Sequence, residues 1–152
     1  MVNAQNTAIV TGASQGIGAG LVEAFLKRGY NVVANSRSIT KANPFAVSPT
    51  LALVDGDIGD PTTAARIVDT AVARFGRIDV LLNNAGIFFS KPFTDYTIED
   101  LRLLLSVNVE GFLFMTQRVI KQIWRRRAGA ASSTSRRRWP ITRSRESTRP
   151  FR

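Results

Sequence analysis

The sequence has no cysteine and no histidine among its 152 residues. Without cysteine there are no disulfides and no thiolate metal sites. Without histidine the commonest metal ligand and the commonest general base are missing, and a serine hydrolase triad built on histidine is excluded. No uninterrupted apolar run reaches the roughly 18 residues of a membrane span. The N-terminus opens on a short apolar strand pattern, without the basic patch and long apolar core of a secretory signal. A cytoplasmic protein with no membrane partner is expected.

Acidic residues are scarce at one end only. Residues 1–124 hold eleven Lys and Arg against ten Asp and Glu, whereas residues 125–152 hold ten Arg, one Glu and no Lys. The overall net charge of +10 therefore belongs almost wholly to the tail. With 44% hydrophobic residues, the chain can fill the core of one domain, with little left for a second.

The body alternates strand and helix signals. Thr7-Ala8-Ile9-Val10-Thr11 is a short apolar run closed by Gly12, the pattern of a buried strand. Leu21, Val22, Phe25 and Leu26 recur at helical spacing before Gly29, a helix-stopping residue. Asn31–Asn35 and Leu51–Asp55 read as second and third strands, with a short helix near residues 38–43 between them. Asp60-Pro61 opens a helix with a capping acid and a proline at the first position. Its apolar face runs from Ala64 through Ile67, Val68, Ala71 and Val72 to Phe75, and Gly76 ends it. Ile78–Asn83 is a fourth strand, and a long helix is expected from Thr97 to Trp124 with Leu101, Leu104, Leu105, Asn108, Val109, Phe112 and Met115 on connected faces. Such alternation predicts an open, doubly wound parallel sheet with helices on both sides, a Rossmann-like α/β fold.

Gly12, Gly16 and Gly18 lie where the first strand becomes the first helix. Unpaired amides and the helix dipole favour an anion there, and glycines let a pyrophosphate approach the backbone. A tight turn with close helix–strand packing is the alternative reading. The order of motifs resembles the short-chain dehydrogenase/reductase family. Thr11-Gly12-Ala13-Ser14-Gln15-Gly16-Ile17-Gly18 matches its Thr-Gly-x-x-x-Gly-x-Gly fingerprint, and Asn83-Asn84-Ala85-Gly86 matches its Asn-Asn-Ala-Gly motif. Asp57-Ile58 stands where the family has an acid and an apolar residue after the third strand, and Asn108 where it has an Asn inside the long helix. The resemblance covers residues 1 to about 124.

The resemblance implies an oxidoreductase that moves a hydride between a nicotinamide coenzyme and a small alcohol or carbonyl. It implies that Thr11, Gly12, Ser14, Gln15, Gly16, Ile17 and Gly18 serve the pyrophosphate. Asp57 and Ile58 would take the adenine, and Asn83, Ala85 and Gly86 would support the ribose side. Asn108 would be the catalytic-site Asn that helps hold a proton-relay water. Satisfied turn caps for Asn83 and Asn84, and an inter-helix hydrogen bond for Asn108, are the structural alternatives. The family also implies a subunit contact through the long helix. At the end of the second strand stand Ser36 and Arg37 with no acid. A carboxylate there would bind the ribose hydroxyls of NAD, whereas Arg37 can pair with a 2′-phosphate. NADP is favoured over NAD, a solvated loop charge being the plainer role for Arg37.

The family's proton transfer uses a Tyr with a Lys four residues on, and a Ser on a fifth strand. The only tyrosines here are Tyr30 and Tyr96, followed at that spacing by Ala34 and Asp100. No fifth strand follows the long helix, and Arg125-Arg126-Arg127 leads instead into a Ser-, Ala- and Arg-rich stretch. Residues 125–152 are expected to be disordered, having too few apolar residues to offset ordering. One reading makes them a nucleic-acid or acidic-lipid tail. The favoured reading makes them a frameshift product of a GC-rich gene. Shifted by one base, the codons around Ser132–Arg138 allow Ile-Ile-Asn-Ile-Thr-Ala-Ser, which resembles the missing strand and its Ser. The chain as written is expected to keep the coenzyme half (residues 1–124), with an exposed fourth-strand edge and weak or no catalysis. A non-catalytic nucleotide-binding or dimerising remnant is the main rival.

Overall fold

The computed structural model describes residues 5–42, 44–46 and 48–133. Four strands, β1 (Thr7–Thr11), β2 (Asn31–Ser36), β3 (Leu51–Asp55) and β4 (Val80–Leu82), form one sheet in the order β3-β2-β1-β4. Every pair is parallel, with Ile9 facing Val33 on one side and Leu81 on the other. Helix α1 (Gly16–Lys27) joins β1 to β2, the short α2 (Ile39–Ala42) follows β2, and α3 (Pro61–Phe75) joins β3 to β4. A 3₁₀ turn at Phe93–Asp95 precedes α4 (Ile98–Leu105), a π-helical stretch (Ser106–Glu110) and α5 (Gly111–Ser133).

Alternate strand residues point to opposite faces of a sheet, and here the two faces carry separate cores. Ile9, Val33 and Ala52 pack with Ile67 and Val68 of α3 and with Met115 and Val119 of α5. Val10, Val32 and Ala34 pack with Val22 of α1 and Ile39 of α2. Helix α3 begins and ends where local chemistry dictates. The Asp60 carboxylate accepts from the Thr62 amide at 2.8 Å, Pro61 takes the first turn, and Gly76 closes it at φ 76°.

The expected strand at 78–83 is shorter. Ile78 is buried, but ladder pairing is confined to Ala8–Val80, Ile9–Leu81 and Val10–Leu82. Strand β4 lies at an edge of the sheet. Below it the Asp79 carboxylate accepts from the Thr7 amide at 2.9 Å and pairs with Arg77 at 2.7 Å and Arg126 at 3.4 Å.

The long helix differs from expectation in three ways. First, it does not stop at Trp124, because α5 continues to Ser133. Arg and Ala are strong helix formers, and Arg126 is held by Asp79. The helix thus runs past residue 125, where the disordered tail was expected to begin, and residues 134–152 lie outside the described residues. Second, of the seven residues expected on its connected faces only Met115 is buried. Leu101, Leu105, Val109 and Phe112 are about half exposed, and Ile120 and Trp124 add to the same apolar exterior. Third, Ile98–Ala128 is 31 residues long and, by length and composition alone, apolar enough to cross a membrane. The sequence criterion required an uninterrupted run, which Arg102, Asn108 and Gln117 break, whereas a windowed average passes over them. The helix packs on α3 and the sheet through Met115 and Val119, the position of a covering helix in an α/β domain.

Candidate coenzyme site

All four strands are parallel, so the loops that follow them gather at one end of the sheet, where open α/β folds bind ligands. At the end of β1 the chain turns at Gly12 with φ 64° and enters α1 at Gly16 with φ 54°. Two of the three glycines are forced by contact. A Cβ on Gly12 would lie 2.7 Å from the Cα of Ala85, and one on Gly18 would overlap the Gly12 carbonyl and sit 2.7 Å from Asn84 Nδ2. Gly16 is different, since a Cβ there would meet nothing within 4 Å. It faces open space, and its positive φ alone selects glycine. The cap residue Gln15 gives α1 no side-chain hydrogen bond, which leaves first-turn amides for a ligand.

Asn84 locks the turn. Its Nδ2 donates to the carbonyls of Thr11 at 3.0 Å and Gly12 at 3.1 Å. The Thr11 hydroxyl accepts from the amides of Asn84 and Ala85 at 3.1 and 3.0 Å. At the neighbouring strand ends, the buried Asn35 donates to the carbonyls of Val54 at 2.9 Å and Gly56 at 3.2 Å. Asn84 thus ties the loop after β4 to that after β1, Asn35 ties β2 to the loop after β3, and the Ala13 amide, donating to the Asn35 carbonyl at 2.9 Å, joins the two into one frame.

The frame encloses a cleft of about 600 Å³. Gly12 and the stretch Ser14, Gln15, Gly16, Ile17 and Gly18 line its middle. Ser36 ends β2 and Arg37 follows it, Asp57 and Ile58 lie after β3, and Ala85 and Gly86 after β4. Arg37 is exposed and has no hydrogen bond or ion pair among the described residues. Asp57 accepts from the Gly59 amide at 2.9 Å. The nearby acid at the end of β3, Asp55, is engaged elsewhere. Hydrogen bonds from the Thr40 hydroxyl and amide hold its carboxyl below the usual range, and the amide contact is 2.9 Å.

Three expected site residues stand off the cleft. Thr11, Asn83 and Asn108 line instead a small cavity of about 80 Å³. Thr11 is buried and organises the turn. Asn83 donates to the Thr116 hydroxyl of α5 at 3.1 Å. Asn108, in the π-helical stretch, accepts from the Ile87 amide and donates to the Ile87 carbonyl, both at 2.9 Å. Its amide therefore bridges the helix to the loop after β4. Sequence reasoning offered Asn84 only as a turn cap and missed Asn35 as a frame-builder. It also missed Phe88, Phe89, Leu103 and Val107 as cleft-lining residues. The adjacent pair of phenylalanines in a loop was the available signal for the last group.

A family model described as short chain dehydrogenase matches residues 6–135, reaching beyond the 124 expected from the motifs. An NADP-dependent (R)-specific alcohol dehydrogenase of Lentilactobacillus kefiri is 34% identical, the match covering 82% of this chain and 51% of that protein. A sorbitol dehydrogenase of Cereibacter sphaeroides is 33% identical over 76% of this chain and 46% of its own length. Among solved structures, a 3-ketoacyl-(acyl-carrier-protein) reductase from Brucella melitensis, complexed with NADH, superposes with a TM-score of 0.76 at 30% identity. That match covers 82% of this chain and 53% of the reductase. The chain spans about half the length of the curated relatives it matches.

Proposed function

The chain belongs to the short chain dehydrogenase family, and from that premise we propose that its cleft binds NADP(H), and NAD(H) less well, as the coenzyme half of an oxidoreductase that works between an alcohol and a carbonyl. The observation that carries this reading is the open space at Gly16, beside a helix start without a side-chain cap. The diphosphate would rest there, on the backbone of Gly12, Ser14, Gln15, Gly16, Ile17 and Gly18. Ser36 and Arg37 would take the 2′-phosphate, the Arg37 guanidinium being exposed and unengaged among the described residues. Asp57 would accept from the adenine amino group with Ile58 beside the ring, and Ala85 and Gly86 would flank the ribose of the nicotinamide half.

When bound, the coenzyme supplies the hydride. The chain's own residues bind and orient it, and here the chemistry stops. A proton must reach or leave the substrate oxygen, and no Tyr with a Lys four residues on exists in these 152 residues. The Asn108 side chain spends both ends of its amide on Ile87, so we assign it to positioning the loop after β4. The chain by itself therefore binds coenzyme without steady turnover. Its outer helix face, with Leu105, Val109 and Leu113 exposed, suits the subunit contact that the family resemblance implies. The frameshift reading of the tail is tested by translating the gene around codon 124 in all three frames.

The test is a fluorescence titration of folded protein with NADPH and with NADH. Saturable binding of NADPH is expected. Arg37→Ala should weaken NADPH about tenfold, the scale of one charge-assisted phosphate contact, and leave NADH unchanged. Absence of binding by either coenzyme would sink the reading. Steady NADPH oxidation across a carbonyl panel would overturn the claim of inactivity.

A further inference from the structure

We propose that a second cleft, between α3 and α5, is a binding site for an oligophosphate anion, held by Arg118, Lys121 and Arg125. It shares no lining residue with the coenzyme cleft, and the inference does not depend on the coenzyme reading.

The site follows from how α5 distributes its charge. Gly111–Ser133 contains five Lys and Arg and no Asp or Glu. Residues three, four and seven apart share one side of a helix, so Arg118, Lys121 and Arg125 stand in a row along one flank. Across from them α3 contributes Pro61, Val68 and Asp69, and the space between the helices is about 330 Å³, at the small end of the range for ligand pockets. The row spans about 10 Å at 1.5 Å of rise per residue. That is within reach of flexible arms closing on a chain of two or three phosphates.

These cations are left without partners. Four arginines elsewhere are engaged: Arg66 donates to the Asp55 carbonyl at 2.6 Å, Arg74 to the Ser48 and Pro49 carbonyls at 3.4 Å, and Arg77 and Arg126 pair with Asp79. Arg118, Lys121 and Arg125 are exposed and have no hydrogen bond or ion pair among the described residues. Asp69 is the one acid in the lining, and it forms no ion pair with them among the described residues. Three positive charges thus face one negative charge. Like charges at these spacings repel along a helix, and a multivalent anion turns that repulsion into attraction.

The chemistry of the lining favours phosphate. Two guanidinium forks match phosphate oxygens, and the lysine adds a point charge. Gln117 and Gln122 lie in the same lining and add neutral carboxamide donors. The floor is apolar, since Val68 is buried and Phe114 packs half-buried against the core. Charge pairs formed over such a floor are stronger than in open water. A single carboxylate would answer one cation and leave two, whereas a chain of phosphates carries a charge for each.

The test follows the backbone amides of the isotope-labelled full chain by two-dimensional NMR during titration with tripolyphosphate, with CTP and with sulfate, at matched ionic strength. Tripolyphosphate should shift the amides from Gln117 to Arg125 saturably, and bind at least about tenfold more tightly than sulfate. Lys121→Glu and Arg118→Glu should each weaken that binding by about tenfold or more, the scale of losing one charge-assisted contact. Both side chains are exposed, so the variants keep the fold, and melting curves verify it. The glycine turn and the Arg-rich residues 134–152 are unchanged in both variants, so a loss on substitution belongs to this cleft. Tighter binding of CTP than of tripolyphosphate would identify a nucleotide-borne phosphate chain, and equal affinity a free one; both support the site. Unmoved α5 amides, sulfate binding as tightly as tripolyphosphate, or equal binding by wild type and Lys121→Glu overturns it.

Discussion

The two faces of the helix that runs from Ile98 to Ser133 are built from the same kinds of residue and meet opposite fates. Met115 and Val119, on the inner face, are buried against α3 and the sheet. Val109, Leu113 and Trp124, on the outer face, remain 53%, 45% and 67% exposed. Hydrophobicity alone does not determine burial; a covering layer does. On the inner side α3 and the sheet supply that layer. On the outer side, and along the β4 edge, the described residues supply none.

The sharpest way to break this comparison is to truncate one residue from each face. Met115→Ala should cost about 2–5 kcal/mol, the range for deleting a large side chain from a packed core. Leu113→Ala should stay within about 0.5 kcal/mol, as expected for a surface change. Urea unfolding of the two variants measures both. A loss of more than about 2 kcal/mol for Leu113→Ala would mean that the outer face is covered in solution, and its dependence on protein concentration would identify a second copy as the cover.

The contrast between covered and open positions recurs in the glycine turn. Gly18 is pressed on the Gly12 carbonyl and Asn84, whereas Gly16 faces open space. Gly18→Ala should therefore destabilise the fold by about 1–3 kcal/mol through overpacking, and coenzyme binding should go with it. Gly16→Ala carries only the left-handed backbone penalty, about 1–2 kcal/mol. Gly16 lines the cleft, so the variant should lose coenzyme affinity out of proportion to stability. Thermal melts paired with NADPH titrations separate the two. Equal damage to both properties in both variants would show that the open space at Gly16 is no binding surface.

What the sequence made legible follows the same division. Asp60, Pro61 and Gly76 announced the limits of α3 because capping is local chemistry. The alternation of apolar runs with helical patterns gave the parallel sheet, and Gly12, Gly16, Gly18, Asp57 and Ile58 line one cleft. The illegible parts depend on distant partners. Asn83 and Asn84 are adjacent and identical, yet one reaches Thr116 and the other clamps the turn. Only the direction each side chain takes at the end of β4 distinguishes them. Arg126 sat in a stretch whose composition reads as disorder, and its engagement by Asp79 requires the helix to arrive beside the sheet edge. Phe88 and Phe89 lay in a loop with no periodic pattern, so nothing local tied them to Leu103 and Val107.

The smallest expected effect compares a covered acid with an open one. At Asp79 burial alone would raise the carboxyl pKa, but hydrogen bonds from Arg77 and the Thr7 amide, with the nearby charge of Arg126, hold it below the usual range. At Asp100 the hydrogen bond from Lys91 leads, followed by the Thr97 amide, and the pKa falls to about 2. Both shifts are downward from 3.8. Each carboxylate thus contributes stability that is fully present above its unfolded pKa and is lost as pH falls through the folded one. For Asp100 the loss falls between about pH 4 and pH 2. Melting temperatures recorded from pH 7 down to pH 2 should bend downward in that window. Asp79→Asn should remove part of the bend and lower the melting temperature at pH 7, because the carboxylate joins β1, β4 and α5. Asp100→Asn should flatten the lowest-pH part and leave the sheet intact, while loosening the loop that carries Phe89. Superimposable acid profiles for wild type and both variants would mean that neither clasp holds its charge in solution.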